Sequence, residues 1–339
     1  MSDRLSRLLA ERPYLLADGA TGTNLFAMGL QSGDAPELWN TEHPERIARL
    51  HQMWVEAGSD IILTNSFGGT RYRLKLHQAQ DRVAELNEAA ARIARQVADA
   101  AGREIVVAGS MGPTGELFEP MGSLTFEAAR DAFAEQAQAL ARGGVDVLWI
   151  ETMSAEDEVR AAVAGAASTG LPVVCTMSFD TNGRTMMGVT PAALTHLCHE
   201  LHPHPSACGS NCGVGAPEVV AALLVMSAAD PQAVLVAKAN CGIPEYVDGA
   251  IRYNGTPELM AEYARLALDA GARIIGGCCG TRPEHLRAMK AALDGYTPGP
   301  RPDVDTIVAR LGELSAGSRA LLAGEAGGAA PRRGGRRRG

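Results

Sequence analysis

The feature that most constrains this chain is a strand-then-helix unit repeated eight times. Short apolar or β-branched runs recur at residues 14–17, 60–64, 104–108, 146–150, 172–177, 206–210, 233–237 and 273–275. Between them lie helix-length stretches with apolar residues three and four apart, such as Leu259, Tyr263 and Leu266, or Leu286, Met289 and Leu293. The two kinds of connection differ. Ala57-Gly58, Ala101-Gly102, Gly143-Gly144, Thr169-Gly170 and Ala270-Gly271 each stand just before a strand. Glycine there supplies the left-handed residue that ends a helix, so these returns are short. The connections after strands, at 19–41, 113–125, 180–190 and 241–257, are long and rich in Gly, Pro, Asn and Thr. This asymmetry predicts an α/β fold, a single (β/α)8 TIM barrel whose site lies at the C-terminal ends of its strands. A doubly wound open sheet fits less well, because the chain carries no dinucleotide fingerprint and no P-loop. The expected layout is a barrel over 1–296, a C-terminal extension over 297–323 introduced by Pro298, Pro300 and Pro302, and a disordered Gly/Arg-rich tail over 324–339.

Composition narrows the function classes. With 46% hydrophobic and 21% charged residues, a mainly disordered, collagen-like or coiled-coil chain is excluded. The longest uncharged apolar run, 219–229, is well short of the ~20 residues that span a bilayer. The start, MSDRLSRLLAERPY, has neither an apolar core nor a small-residue cleavage site, so no secretory signal is expected. Seven cysteines without framework spacing then point to a cytoplasmic protein whose thiols stay free. The net charge of −8 hides a split. The last sixteen residues hold five Arg and one Glu, which leaves 26 basic against 38 acidic residues in the body. A body at −12 is not that of a nucleic-acid binder.

Four of the seven cysteines fall at strand ends: Cys212 after the sixth run, Cys241 after the seventh, and Cys278 with Cys279 after the eighth. These strands are neighbours in a closed barrel, and the segments GSNCGVG, ANCGIP and GGCCGT carry glycines that let thiols converge. Three thiolates and an open position are the arrangement of a catalytic zinc. A vicinal Cys-Cys pair is also compatible with two small buried residues or a strained redox disulfide; Cys212 at an equivalent strand end tips the balance to the metal. Such a centre is a poor activator of water but suits an incoming thiol, which points to alkyl transfer to sulfur. His196, His199, His202 and His204 form a second cluster in sequence, but at a helix exit, on the wrong end of the barrel, where a solvated face is expected.

Further segments are DGATGTNL at 18–25, GSDIILTNSFGGTR at 58–71, GSMGPTGE at 109–116, IET at 150–152 and GGCCGTRPEHL at 276–286. With GSNCGVG they run in order through nearly the whole barrel, and as a set the chain resembles the homocysteine S-methyltransferase family. That group contains betaine–homocysteine methyltransferase and the homocysteine-binding module of cobalamin-dependent methionine synthase. The resemblance implies Zn2+ held by Cys212, Cys278 and Cys279, with the homocysteine sulfur as fourth ligand. It implies a site for the amino-acid end of homocysteine at Asp18, Gly19, Ala20, Thr21 and Glu151. Backbone N–H groups suit the carboxylate there and an acidic side chain suits the ammonium. Without the resemblance, Asp18 and Glu151 read as turn or cap residues. Asn211 is expected to orient the zinc loop, and Asn65 and Ser66 to line the pocket.

The methyl donor is less constrained. Betaine carries a quaternary ammonium, which suits a cage of aromatic faces. Tyrosines follow the second-strand Phe and the fourth-strand Glu in the animal betaine enzymes; here those positions are Gly68 and Thr152. Trp39, Phe67 and Tyr246 offer a different cage, among only fifteen aromatics in the chain. The stretch after Leu293 is too short for a corrinoid domain or a folate-binding barrel, so methylcobalamin would arrive on a separate corrinoid protein, as in a split methionine synthase. A sulfonium such as S-methylmethionine is a third donor. A zinc-binding or redox-sensing barrel without transferase activity is the competing class, and the intact acidic and cysteine positions argue against it. Cys241 is expected to be an alternate ligand, an oxidation liability or a packing residue.

Overall fold

The computed structural model describes residues 3–180, 182–247 and 250–324, together with the side chains of these residues outside 244–252. The eight repeats form one parallel sheet of β1 (Leu15–Leu16), β2 (Ile61–Leu63), β3 (Val106–Met111), β4 (Val147–Met153), β5 (Val173–Met177), β6 (Ala207–Cys212) and β7 (Leu235–Ala239). A short antiparallel pair, β8 (Pro244–Val247) and β9 (Ala250–Tyr253), follows, and β10 (Ala272–Gly277) completes the sheet between β1 and β7. The order β1-β10-β7-β6-β5-β4-β3-β2 closes on itself through a parallel bridge between Ala17 and Ile61. A (β/α)8 barrel results, as the connection lengths predict.

Local chemistry explains the element ends. Gly58, Gly102, Gly144, Gly170 and Gly271 all adopt the left-handed backbone that their place before a strand calls for. Thr125, Thr190 and Thr256 each accept a hydrogen bond from the backbone N–H three residues on, and so start the helices Phe126–Gly143, Pro191–Glu200 and Pro257–Asp269. The connection 241–257 departs from expectation, since it contains β8 and β9. The sequence carries a signal for this pair: two β-favouring runs separated by Asp248-Gly249, a dipeptide suited to a two-residue turn.

The core has two layers. Leu16, Ile62, Val107, Leu148, Val173, Leu235 and Ile275 point outward against the helices. Leu15, Ile61, Val106, Val147, Trp149, Val174, Val236 and Ile274 fill the barrel interior. The helix Arg4–Glu11 plugs the bottom: its three-and-four spacing places Leu5, Leu8 and Leu9 on one face, all buried against that interior. Each such leucine contributes about 1.5–3 kcal/mol by burial. The C-terminal helices Val304–Leu311 and Ala316–Leu322 pack on the outside of the helix Ala216–Ala229, where the buried Glu218 carboxylate accepts hydrogen bonds from the Ser315 N–H at 2.7 Å and from the Ser318 hydroxyl. Residues 325–339, most of the Gly/Arg tail, lie outside the described residues. Among the described residues no helix is long and apolar enough to cross a membrane.

Candidate metal and substrate site

Side chains alternate along a strand, so the residues two positions beyond the interior apolar layer also point inward. At the C-terminal end that layer turns polar: Ser110 follows Ala108, Glu151 follows Trp149, Thr176 follows Val174, and Lys238 follows Val236. Above it opens a cavity of about 340 Å3 with Cys212, Cys278 and Cys279 on its wall. Thr21, Asn65, Ser66, Glu151 and Thr152 share that wall, and Asp34, Glu37, Phe67, Arg73 and His77 add to it.

The three thiols converge. Their sulfurs lie within 4.8 Å of one another, with Cys212 and Cys279 at 3.9 Å, and among the described residues this is the one such group. A tetrahedral zinc with bonds of ~2.3 Å sets its sulfur ligands roughly 3.8 Å apart, so the spacing fits the ion. The donor set is soft, as zinc prefers. Crowding of the thiols resists their ionisation: contact with Cys278 is the main influence pushing Cys212 up to about 12, and contact with Cys212 the main one pushing Cys279 up to about 11. A soft dication is the partner that ionises all three.

Backbone geometry and two asparagines hold the sulfurs. Cys212 sits at φ 62°, a left-handed conformation rare outside glycine, and Thr152 across the cavity sits at φ 60°. Asn211 bridges these elements: its Oδ1 accepts from the Thr152 N–H at 2.9 Å and from the Thr176 hydroxyl at 2.8 Å, while its Nδ2 donates to Thr152 Oγ1 at 2.7 Å and approaches Cys278 Sγ at 4.0 Å. Asn240 clamps the other side. It donates to the Gly213 carbonyl at 2.7 Å and accepts from the Cys279 N–H at 3.0 Å, tying the two cysteine loops together. Sequence reading passed over Asn240; the available signal was its alternation with Val236 and Lys238 on one strand face. Asn240→Ala is expected to lower zinc affinity by roughly 10–100-fold, the usual cost of removing a group that orients ligands, without unfolding the barrel; a zinc competition titration checks this.

The acidic residues behave differently from each other. Glu151 lies on the cavity wall, 8% exposed, and accepts a hydrogen bond from the Ser110 hydroxyl. Burial pushes its carboxyl above the ordinary range, against the pull of the Lys238 ammonium and Ser110. Asp18, expected at the ligand, is buried inside the barrel and is not among the residues on the cavity wall. Its Oδ1 receives the Lys238 ammonium at 2.6 Å and its Oδ2 receives the Leu63 N–H at 2.7 Å. The Ala20 N–H donates to Thr281 Oγ1 at 2.9 Å, and Gly19 packs against Thr281 and Trp54, where a Cβ would approach to 2.4 and 2.6 Å. Of that segment Thr21 is the residue on the cavity wall. The reason is tertiary, because Lys238 and Thr281 reach the segment from β7 and from beyond β10.

Asn65 donates to the Pro36 carbonyl and to Asn40 Oδ1, and the Ser66 hydroxyl donates to the Ser110 carbonyl, so both shape the wall through fixed hydrogen bonds. Cys241 is buried, directs its thiol to the Gly255 carbonyl at 3.3 Å and stands outside the sulfur cluster. The histidines lie at the opposite end of the barrel and are exposed, with His199 paired to Asp230 at 2.9 Å. Trp39 cannot serve an open cage: it is buried and Arg46 covers its ring at 4.7 Å. Phe67 does line the cavity, and the Tyr246 side chain lies outside the described residues. Sequence reading also missed Glu37, a buried carboxylate that accepts from the Gly68 N–H at 2.6 Å; burial pushes it upward.

The family model described as homocysteine S-methyltransferase matches residues 15–293, the stretch that builds the barrel and its cysteine loops. The chain belongs to the homocysteine S-methyltransferase family. It is 31% identical over 304 residues to methionine synthase of Mycobacterium tuberculosis, covering 84% of this chain and 25% of that protein. It is 30% identical over 316 residues to methionine synthase of Mycobacterium leprae, covering 87% of this chain and 26% of that protein. The chain thus spans about a quarter of the length of these relatives. Among solved structures it resembles the homocysteine methyltransferase MmuM from Escherichia coli. The oxidized form superposes with a TM-score of 0.71 at 26% identity, covering 86% of this chain and 99% of that one; the metallated form gives 0.70 at 26%, covering 85% and 99%. A member of this family is a methyltransferase, and its three clustered cysteines are a candidate metal site.

Proposed function

We propose that this homocysteine S-methyltransferase is zinc-dependent and makes methionine, with Cys212, Cys278 and Cys279 as the metal ligands. The observation that carries this reading is the convergence of three sulfurs within 4.8 Å of one another on the wall of a cavity that also holds Glu151. A zinc ion held by these three sulfurs would supply the positive charge that lets the homocysteine thiol lose its proton at neutral pH. The chain's own residues do the rest. Glu151 receives the substrate ammonium, and Thr21, with the polar groups around it, faces the carboxylate. Asn211 and Asn240 keep the sulfurs aimed at one point. Asn65 and Ser66 shape the wall beside the substrate. Sulfur then forms a bond to the donor's methyl carbon as the donor's bond to that carbon breaks, and its electron pair leaves with the demethylated donor. The working unit is the barrel over 1–296, with 297–323 as an extension to it.

The donor enters past Glu37, Phe67 and Arg73. One aromatic face and a buried carboxylate suit a small cationic methyl donor, betaine or a sulfonium, with Arg73 available for a carboxylate on it. A second reading, methylcobalamin delivered by a corrinoid protein, is favoured by a different observation. The large exposed apolar side chains Phe26, Leu76, Leu117, Met121, Met186 and Ile243 all stand on connections that follow strands, the end of the barrel where the cavity opens, and the relatives named above are methionine synthases. The deciding experiment offers zinc-loaded protein homocysteine with betaine, S-methylmethionine or methylcobalamin in parallel and measures methionine. Turnover with betaine or S-methylmethionine selects the first reading, and turnover with methylcobalamin alone selects the second. A protein that binds zinc, releases it to oxidants and turns over none of the three is the sensor instead.

A further inference from the structure

Ser110 stands on β3, buried, and its hydroxyl donates to Glu151 Oε1 on the neighbouring β4. Among the described residues this is the one hydrogen bond of the Glu151 side chain, so Oε2 keeps its acceptor capacity on a residue of the cavity wall. Ser110 itself is held on both of its backbone groups. Its N–H donates to Thr64 Oγ1 at 3.0 Å, and its carbonyl accepts from the Ser66 hydroxyl at 2.8 Å. Thr64 Oγ1 and Ser66 Oγ lie 2.6 Å apart. A hydroxyl has one proton to give, and that of Ser66 goes to the Ser110 carbonyl, so Thr64 is the donor between the two. Thr64, Ser66 and Ser110 thus close a ring of hydrogen bonds across the ends of β2 and β3, and all three are buried. Burying hydroxyls costs desolvation that small apolar side chains at the same places would avoid, and a closed ring of hydrogen bonds stiffens what it holds. The Ser110 hydroxyl is the member of this group that serves no part of the ring; its acceptor is Glu151. A glutamate side chain left alone turns about three bonds, and a ligand that must order it binds more weakly.

We propose that Ser110 is a positioning residue: pinned by the ring through Thr64 and Ser66, its hydroxyl holds Glu151 Oε1 and leaves Oε2 free to receive the ammonium of homocysteine. This rests on the reading of Glu151 as the ammonium site. The Ser110 hydroxyl is hydrogen-bonded to Glu151 and to none of the three clustered cysteines, so its removal acts on recognition of the amino group and leaves the binding of the thiol alone.

The test titrates zinc-loaded wild type, S110A, E151Q and S110A/E151Q in a calorimeter with homocysteine and with 4-mercaptobutyrate, the same thiol acid without its amino group. S110A leaves both backbone bonds of the residue in place, so the barrel is expected to fold. Its homocysteine Kd is expected to rise about fivefold or more, with zinc content and the Kd for 4-mercaptobutyrate unchanged. In the E151Q background the serine change is expected to add nothing, because a residue that acts through Glu151 loses its effect once that charge is gone. Equal weakening of both thiols overturns the proposal, since Ser110 then shapes the pocket as a whole. So does wild-type affinity for homocysteine in S110A when E151Q weakens it, and so does a double variant whose loss in free energy is the full sum of the single losses. Wild-type affinity for homocysteine in E151Q overturns the underlying reading of Glu151 instead.

Discussion

Replacing Cys212, Cys278 or Cys279 by alanine, one at a time, is expected to abolish zinc binding and methyl transfer while the barrel still folds. Two sulfurs do not hold a three-ligand catalytic ion at its usual affinity, and a homocysteine thiol that stays protonated is a weak nucleophile. A fall in kcat/KM of at least about a thousandfold, ~4 kcal/mol in the barrier, is the scale to look for. The fold has little stake in these positions, since none of the three belongs to the apolar cores that bind the strands to the helices or fill the interior. Zinc content by metal analysis, far-UV circular dichroism and turnover on the same preparations separate the effects. Cys241→Ala is the control, because its thiol points to Gly255 and stands apart from the cluster. Full zinc and full turnover in any of the three variants would remove that residue from the metal site.

Glu151→Gln comes next in size. The change keeps the shape and the Ser110 contact but removes the charge proposed to face the substrate ammonium. A charge-assisted hydrogen bond is worth about 1.5–3 kcal/mol, so the KM for homocysteine is expected to rise roughly 10–150-fold with kcat less affected. The pH dependence supplies an independent sign. Burial raises the Glu151 carboxyl above the ordinary glutamate range, and only its ionised form attracts an ammonium. Wild-type kcat/KM for homocysteine should therefore fall as pH drops through that raised value, and the fall should be absent in the glutamine variant. A wild-type profile without such an acid limb would exclude Glu151 as the ammonium partner.

Much of this was legible before folding was considered. Strand and helix periods are local, and the glycine that ends a helix before each short return acts within a few residues, so Gly58 and Gly144 announce the barrel from sequence alone. The glycine-flanked cysteines were legible for the same reason, since their segments follow strands whose neighbours the topology dictates. Residue type and place alone read Glu151 as a helix cap; it is the family resemblance that points to the cavity wall where it lies, and to the Asn211 contact with the cysteine loop. The β8–β9 pair was missed although Asp248-Gly249 signals it, because a connection rich in Gly, Pro and Asn reads as irregular.

Local patterns in the chain settle the order of elements, the end of the barrel where the cavity opens and the three sulfurs that meet there. Which polar groups reach the cavity wall is settled by contacts distant in sequence. Asp18 and Lys238 lie 220 residues apart and meet at 2.6 Å inside the barrel, while Glu151 lies on the cavity wall. Arg46 covers Trp39, and Asn240 joins the loops of Cys212 and Cys279. The Asp18–Lys238 pair and the two Asn240 bonds, which go to backbone groups, join different repeats, whereas Arg46 and Trp39 meet within the first. Periodicity tells which way a residue points, but its partner is set by barrel closure, and a buried charge or hydrogen-bonding group is satisfied by whatever that closure brings within about 3 Å.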